Sequence, residues 1–307
     1  MMQLYTKVDI KPSDRKIGYN DKILLLGSCF AENIGEKFAE HYFQSIVNPY
    51  GTLYNPSSIA QAISDVHCSL SDSRMIHHNG LWHSMLHHGS FSHPDKAAVL
   101  RRCEESREQL HRALNESSII VVTFGTAWVY EQHGEVVANC HKLPANQFTR
   151  RCLTAEEIVA IWQPIVASMS DKHWIFTVSP IRHTKDGLHA NQLSKAVLLQ
   201  AIDHLTSNNA AVSYFPSYEI MLDELRDYRF YAEDMVHPSQ TAVEYIWQRF
   251  VETYMTADTC NEMRTLHQLW RDRHHRFLHP ESDEAKNFQT RVARKLQELQ
   301  SHYAWLK

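Results

Sequence analysis

The stretch Lys22-Ile23-Leu24-Leu25-Leu26-Gly27-Ser28-Cys29-Phe30-Ala31 decides how the chain is to be read. Residues 22–26 carry four apolar residues in a row, the pattern of a short strand buried on both faces. The run stops at Gly27. Beyond it Phe30, Ile34 and Phe38, with Ala31 and Gly35, recur at helical spacing as far as Tyr42. Gly27, Ser28 and Cys29 therefore sit on a strand-to-helix turn. Only nine glycines occur in the chain, so one at this point marks a turn that needs it.

Outward from this unit the same alternation repeats. A candidate strand at 44–47 ends in Asn48-Pro49-Tyr50-Gly51, and Asn55-Pro56-Ser57-Ser58 caps a helix over 58–67. A loop-rich stretch, 69–94, precedes a charged amphipathic helix at 95–115. The clearest strand, 118–124, ends at Gly125-Thr126, and an insertion containing Asn139-Cys140-His141-Lys142, a candidate lining of the ligand pocket, follows. Helices are expected at 154–168, 192–205 and 241–254, and strands at 174–178 and 212–215. This order predicts an α/β fold: a three-layer α/β/α sandwich on a mostly parallel, five-stranded, flavodoxin-like sheet. Ligands of such sheets lie beyond the carboxyl ends of the strands. The turns at Gly27, Gly51, Gly125 and Ser179 are therefore expected along one edge. Residues 1–255 form this domain. Residues 256–307 change character, with Leu266, Leu269, Trp270, Phe277, Phe288, Val292, Leu296 and Leu299 as helical stripes, and read as a helical extension packed on it.

Composition narrows the function classes. A net charge of −4 over 307 residues offers no basic face for nucleic acid. No apolar run approaches membrane-spanning length, and residues 1–10 lack the charged-then-apolar order of a signal peptide. The six cysteines are dispersed without a C-x-x-C pair, as expected of reduced thiols in the cytoplasm. No cofactor is implied.

Four motifs in order carry a family likeness: Gly27-Ser28-Cys29-Phe30-Ala31, Asn48-Pro49-Tyr50-Gly51-Thr52-Leu53-Tyr54-Asn55-Pro56, Gly125-Thr126-Ala127-Trp128, and Tyr231-Ala232-Glu233-Asp234-Met235-Val236-His237-Pro238-Ser239. Over residues 1–250 the chain resembles the GSCFA family, which is similar in turn to the SGNH (GDSL-type) hydrolases. That resemblance implies an esterase or acyltransferase fold and names no substrate.

Acyl transfer needs a nucleophile, a base, an orienting carboxylate and donors for the oxyanion. Asp234 and His237, three residues apart, can lie on one loop facing the Gly27 turn, with Asp234 orienting His237 as base. The bland alternative is a capping aspartate and a surface histidine. Set against the Gly-Asp-Ser of SGNH enzymes, Cys29 holds the nucleophile's place. A helix N-terminus beside a histidine is expected to depress its pKa. Ser28 is the alternative nucleophile, with Cys29 then a small buried apolar residue. The resemblance puts the oxyanion donors at the N–H groups of Cys29 and Gly51. The SGNH asparagine is missing after Gly125, so Thr126 would lend a hydroxyl. Candidate substrate contacts are Asn48, Gly125, Ser179, Arg182 and His183, with Trp82 and His83 from the loop-rich stretch.

The chain holds 21 histidines, and His77, His78, His83, His87, His88 and His93 crowd one segment. His83 and His87 have the spacing of two metal ligands on one helix face, but no His-Glu-x-x-His order accompanies them. Three functions are thus open. One is an acyl hydrolase or acyltransferase for a small-molecule or carbohydrate ester or thioester. The second is a binding protein that keeps the fold without catalysis. The third is a metal-dependent hydrolase built on the histidine-rich segment. The oligomeric state is not legible.

Overall fold

The computed structural model describes residues 5–68, 74–207 and 209–306. The opening apolar run forms strand β1 (Lys22–Gly27), with every residue after Lys22 buried. Helix α1 (Cys29–Glu40) follows directly, then β2 (Gln44–Val47) and α2 (Pro56–Ser64). A hairpin, β3 (Met75–His78) and β4 (Leu81–Ser84), leads to α3 (Lys96–Glu116) and the wholly buried β5 (Ile119–Phe124). The strands β6 (Trp128–Gln132), β7 (Glu135–Val137) and β8 (Thr149–Cys152) come next. Helix α4 (Ala155–Ser168), β9 (His173–Val178), α5 (Gly187–Thr206) and β10 (Val212–Phe215) complete the alternation. A short α6 (Ser217–Glu219) precedes α7 (Gln240–Tyr254), α8 (Ala257–Arg273) and α9 (Asp283–Gln300).

The central sheet runs β10-β9-β5-β1-β2 with all its pairs parallel. In chain order this is the 2-1-3-4-5 arrangement of flavodoxin-like folds, with the switch point between β1 and β5. Because side chains alternate along a strand, each strand feeds two cores. Leu24, Leu26, Ile120, Val122, Trp174 and Phe176 pack against α2, α3, α4 and α5. Ile23, Leu25, Ile119, Val121 and Ile175 pack against α1 and α7 on the other face. Phe38 of α1 meets Phe43, Trp247 and Phe250 edge-to-face, which fixes α1 against α7. The three layers and the five parallel strands agree with the expectation from sequence.

The C-terminal helices extend the α1/α7 layer. Met263, Leu266 and Leu306 join its core, and Trp305 donates to Tyr42 O at 3.1 Å. Phe277 lies between α8 and α9, edge-to-face with Phe288, instead of on a helical stripe.

Two insertions carry more structure than their sequences suggest. The loop-rich stretch contains β3 and β4, joined by Asn79-Gly80, both at positive φ, as a two-residue hairpin turn requires. Its residues 69–73 lie outside the described residues. The insertion after β5 forms a three-stranded antiparallel sheet, β7-β6-β8. Its strands are short and half-exposed, so no buried apolar run announces them. Among the described residues, no helix is long and apolar enough to cross a membrane.

Candidate functional site

The Gly27 turn is held from three sides. Its N–H donates to Asn48 Oδ1 at 2.8 Å, its carbonyl accepts from Leu53 N at 3.0 Å, and Ser28 N donates to Thr123 O at 3.2 Å. Ser28 caps α1: its Oγ accepts from Phe30 N at 3.3 Å, and only 1% of the residue is exposed. Cys29 opens the helix and faces the other way. Its Sγ lies 3.7 Å from His237 Nε2. His237 Nδ1 lies 2.5 Å from Asp234 Oδ2, and Asp234 Oδ1 accepts the N–H groups of Val236 and His237 at 2.9 Å each. Cys29, His237 and Asp234 thus form one row from which the Ser28 hydroxyl is absent.

The loop carrying Asp234 and His237 is closed by bonds of its own. Tyr231 pairs with Pro238, and Ala232 N donates to His237 O at 2.7 Å. Arg182 braces it from outside. Its N–H donates to Val236 O at 3.2 Å, its guanidinium donates to Met235 O, and the guanidinium lies 4.3 Å from the Tyr231 ring centre.

Burial decides the charge state of the thiol. It pushes the Cys29 pKa above the ordinary value, and Glu32 on the same helix adds to the rise. The N–H groups of Cys29 and Phe30, and Lys195, pull it back only in part. The expected depression at the helix N-terminus is therefore corrected: desolvation outweighs the local dipole. Asp234 moves the other way. The His237 N–H, the His237 ring and the Val236 N–H hold its carboxyl at about 2.

Lys195 is the residue that sequence reasoning missed. It projects from α5 and is fully buried, with Nζ donating to Gly125 O and Ser179 O at 2.7 Å each. These carbonyls close β5 and β9. Burial lowers its pKa to about 7, and the nearby Cys29 opposes that fall. No carboxylate pairs with it among the described residues. The signal was available: Asn191, Ser194 and Lys195 interrupt the otherwise apolar buried stripe of α5.

A cavity of about 520 Å³ opens beside Cys29 and His237. Thr126, Arg182 and His183 line it as expected, together with Asn139 and Cys140 of the insertion and Tyr54 and Trp128 of the quoted motifs; Tyr130 and Arg150 stand in no motif. His183 is half-buried, its pKa lowered to about 4 by desolvation and then by Lys195, against the opposing pull of Asp186 and of a hydrogen bond to the Gly125 backbone.

Several expected contacts fall elsewhere. Asn48 is not on the cavity wall, because its amide is occupied by Gly27 N and Glu32. Gly51 N–H is taken by Asn48 O at 2.7 Å, so it is not an oxyanion donor. Its missing Cβ makes room for His88, whose Cβ a side chain there would meet at 2.4 Å. The Thr126 hydroxyl accepts Trp128 N and bonds Ser194 Oγ, both at 3.1 Å, so it too is engaged. Gly125 supports the site from behind: a Cβ there would stand 3.0 Å from Tyr54 O and 3.3 Å from Ser28 Cβ. Ser179 is buried beneath the cavity and holds Lys195. Trp82 packs with Met75, Val99 and Cys103, away from the site.

The histidine-rich segment is a scaffold of hydrogen bonds. His83 stands on β4, not on a helix, so its spacing to His87 does not align two ligands. Its ring bonds Ser92 Oγ at 2.6 Å and His78 O at 3.1 Å. His87 bonds Ser84 Oγ at 2.8 Å and stacks on Tyr50 at 4.2 Å, while His141 bonds Ser84 O at 2.7 Å. Among the described residues, no group of three or more His, Cys, Asp or Glu side chains could hold a metal ion.

Burial holds His87 near pKa 3 and His141 and His183 near 4, so the folded chain keeps them neutral. The unfolded chain takes up protons at its ordinary histidine pKa of about 6.5. Stability is therefore complete above that pH and is lost as pH falls toward the folded-state values. We expect Tm to drop by about 10 °C between pH 7 and pH 4.5. Melting curves across that range check this, and a flat Tm would contradict it.

A model of the GSCFA family matches residues 22–250, from the start of β1 into α7. No curated protein matches the chain.

Proposed function

The chain belongs to the GSCFA family, and we propose that it is an acyl-transfer enzyme of SGNH type, an ester or thioester hydrolase or an acyltransferase, working through an acyl group on Cys29. One observation carries this reading: the row of Sγ, imidazole and carboxylate at 3.7 Å and 2.5 Å on the wall of a substrate-sized cavity. Asp234 fixes the tautomer that leaves His237 Nε2 free to accept. His237 takes the thiol proton as Sγ attacks the acyl carbonyl. The tetrahedral intermediate collapses, and the leaving alcohol or thiol receives that proton from His237. Water, or an acceptor hydroxyl, then attacks the thioester with His237 again as base, and the Cys29 thiol is restored. The Cys29 N–H is the backbone donor nearest the developing oxyanion. A reduced thiol in this role suits the cytoplasm. The substrate is a small-molecule or carbohydrate ester or thioester.

A raised thiol pKa implies proton removal during attack, not a standing thiolate–imidazolium pair. Alkylation of Cys29 by iodoacetamide should then climb about tenfold per pH unit between pH 6 and pH 9. Glu32→Gln removes a raising charge and moves that profile to lower pH. A plateau already reached at pH 6 would contradict the general-base mechanism.

One observation favours a non-catalytic binding protein instead. Both donors that the SGNH pattern assigns beyond the nucleophile, at Gly51 and Thr126, are spent on the protein itself. Mass spectrometry after exposure to 4-nitrophenyl acetate separates the two readings. An acetyl adduct on Cys29 that turns over supports the enzyme, and an unmodified protein supports the binder.

A further inference from the structure

The cavity beside Cys29 has a lopsided charge. Arg150, Arg182 and Lys185 line it, against a single carboxylate, Asp186, which is engaged by Arg150 at 2.5 Å. Arg182 is held by a carbonyl and a ring face, and Lys185 reaches only the Tyr130 hydroxyl, at 3.4 Å. Neither pairs with a carboxylate among the described residues. Asp234 stands behind His237 and off the wall, committed to His237 and its own loop.

The donors here are also under-used. Arg150 Nε, Arg182 Nε and Trp128 Nε1 are buried without a hydrogen-bond partner among the described residues, and all three residues line this one cavity. Buried donors with no acceptor are costly, more so when charged. Guanidinium groups bind carboxylate and phosphate oxygens with paired hydrogen bonds. Val137, Ala138, Ile181 and Val236 add apolar surface to the same wall, which suits the uncharged part of the same ligand.

We propose that the substrate is an anion-bearing ester or thioester, whose phosphate or carboxylate group is held by Arg182 and Lys185 while its acyl carbon meets Cys29. This rests on the acyl-transfer reading for the reaction, and on the cavity alone for binding.

The test compares alkylation of Cys29 by anionic iodoacetate and neutral iodoacetamide, with the exposed Cys68 of the same protein as reference. The iodoacetate-to-iodoacetamide rate ratio at Cys29 should exceed that at Cys68 by about tenfold, and added salt should erode the excess. Lys185→Gln should lower the ratio, and Arg182→Gln should lower it further. Equal ratios at the two thiols, or a ratio indifferent to Lys185→Gln and to salt, overturn the proposal. Should Cys29 react with neither reagent, the nucleophile assignment falls by itself. Calorimetric titration of the full chain with inorganic phosphate and with acetate then decides the anion site. Binding that Lys185→Gln weakens upholds it, and no heat from either anion overturns it. Tighter phosphate assigns a phosphoryl group, and tighter acetate a carboxylate.

Discussion

Cys29→Ala should abolish acyl transfer, by at least about 10³-fold in turnover, while Ser28→Ala should leave turnover within about threefold of wild type. The two hydrogen-bonding roles differ in kind. Cys29 Sγ faces His237 Nε2, the only atom of the row placed to take its proton. The Ser28 hydroxyl points to the backbone of its own helix and is closed off from solvent. Removing it takes away an N-terminal cap, worth about 1 kcal/mol, and changes nothing that an acyl group would touch. Cys29→Ser is the sharper variant. It keeps the geometry but replaces a thiol with a far weaker acid, so His237 must do more of the work, and the rate should fall well below wild type. Single-turnover release of 4-nitrophenol, with thermal melts to confirm folding, measures all three. Activity that survives Cys29→Ala and disappears in Ser28→Ala would reverse the assignment.

What could be read from sequence depended on whether the cause was local. Strands β1 and β5 are buried on both faces, so their apolar runs announce them directly. The strand, Gly27 and the amphipathic spacing of α1 together place the turn. Asp234 and His237 were legible because a three-residue spacing on one short loop suffices to bring carboxylate and imidazole together. The misreadings have mixed origins. Gly51 N–H and the Thr126 hydroxyl are taken inside their own turns, by Asn48 and Trp128, because the turn geometry that decides this does not show in residue type, and Ser194 reaches Thr126 from α5. The His83 and His87 spacing reads as helical only while the segment is assumed to be a helix, and β4 removes that premise. The thiol pKa is a contest between a local helix terminus and burial by distant elements, and only the first is visible in a motif. Lys195 stands between these cases. Its polar stripe on α5 shows in the sequence, but the two carbonyls that explain it come from the ends of β5 and β9.

Gly27→Ala should be the most damaging single-methyl change in the protein. Gly27 adopts φ +135°, a region that side-chain-bearing residues rarely enter, at a cost of about 1–3 kcal/mol. A Cβ there would also lie 2.2 Å from Thr123 O and 2.9 Å from Thr123 C and N. Those are backbone atoms of the paired strand and cannot rotate away. Relief requires β1 and β5 to separate at the register pair Gly27–Thr123, which also breaks the bond from Ser28 N to Thr123 O. Together these exceed about 4 kcal/mol, enough to leave little folded protein. Gly134→Ala supplies the control. It too has positive φ, +82°, but a Cβ there meets nothing within 4 Å. It should cost only the backbone term, about 1–2 kcal/mol. The difference between the two urea midpoints therefore isolates the crowding at Thr123 from the conformational strain. If both variants unfold at the same midpoint, β1 and β5 tolerate separation at the turn, and the 3.7 Å approach of Cys29 to His237 owes nothing to that contact. If only Gly27→Ala collapses, the glycine is what lets a buried strand end against its neighbour and still deliver the thiol to the cavity.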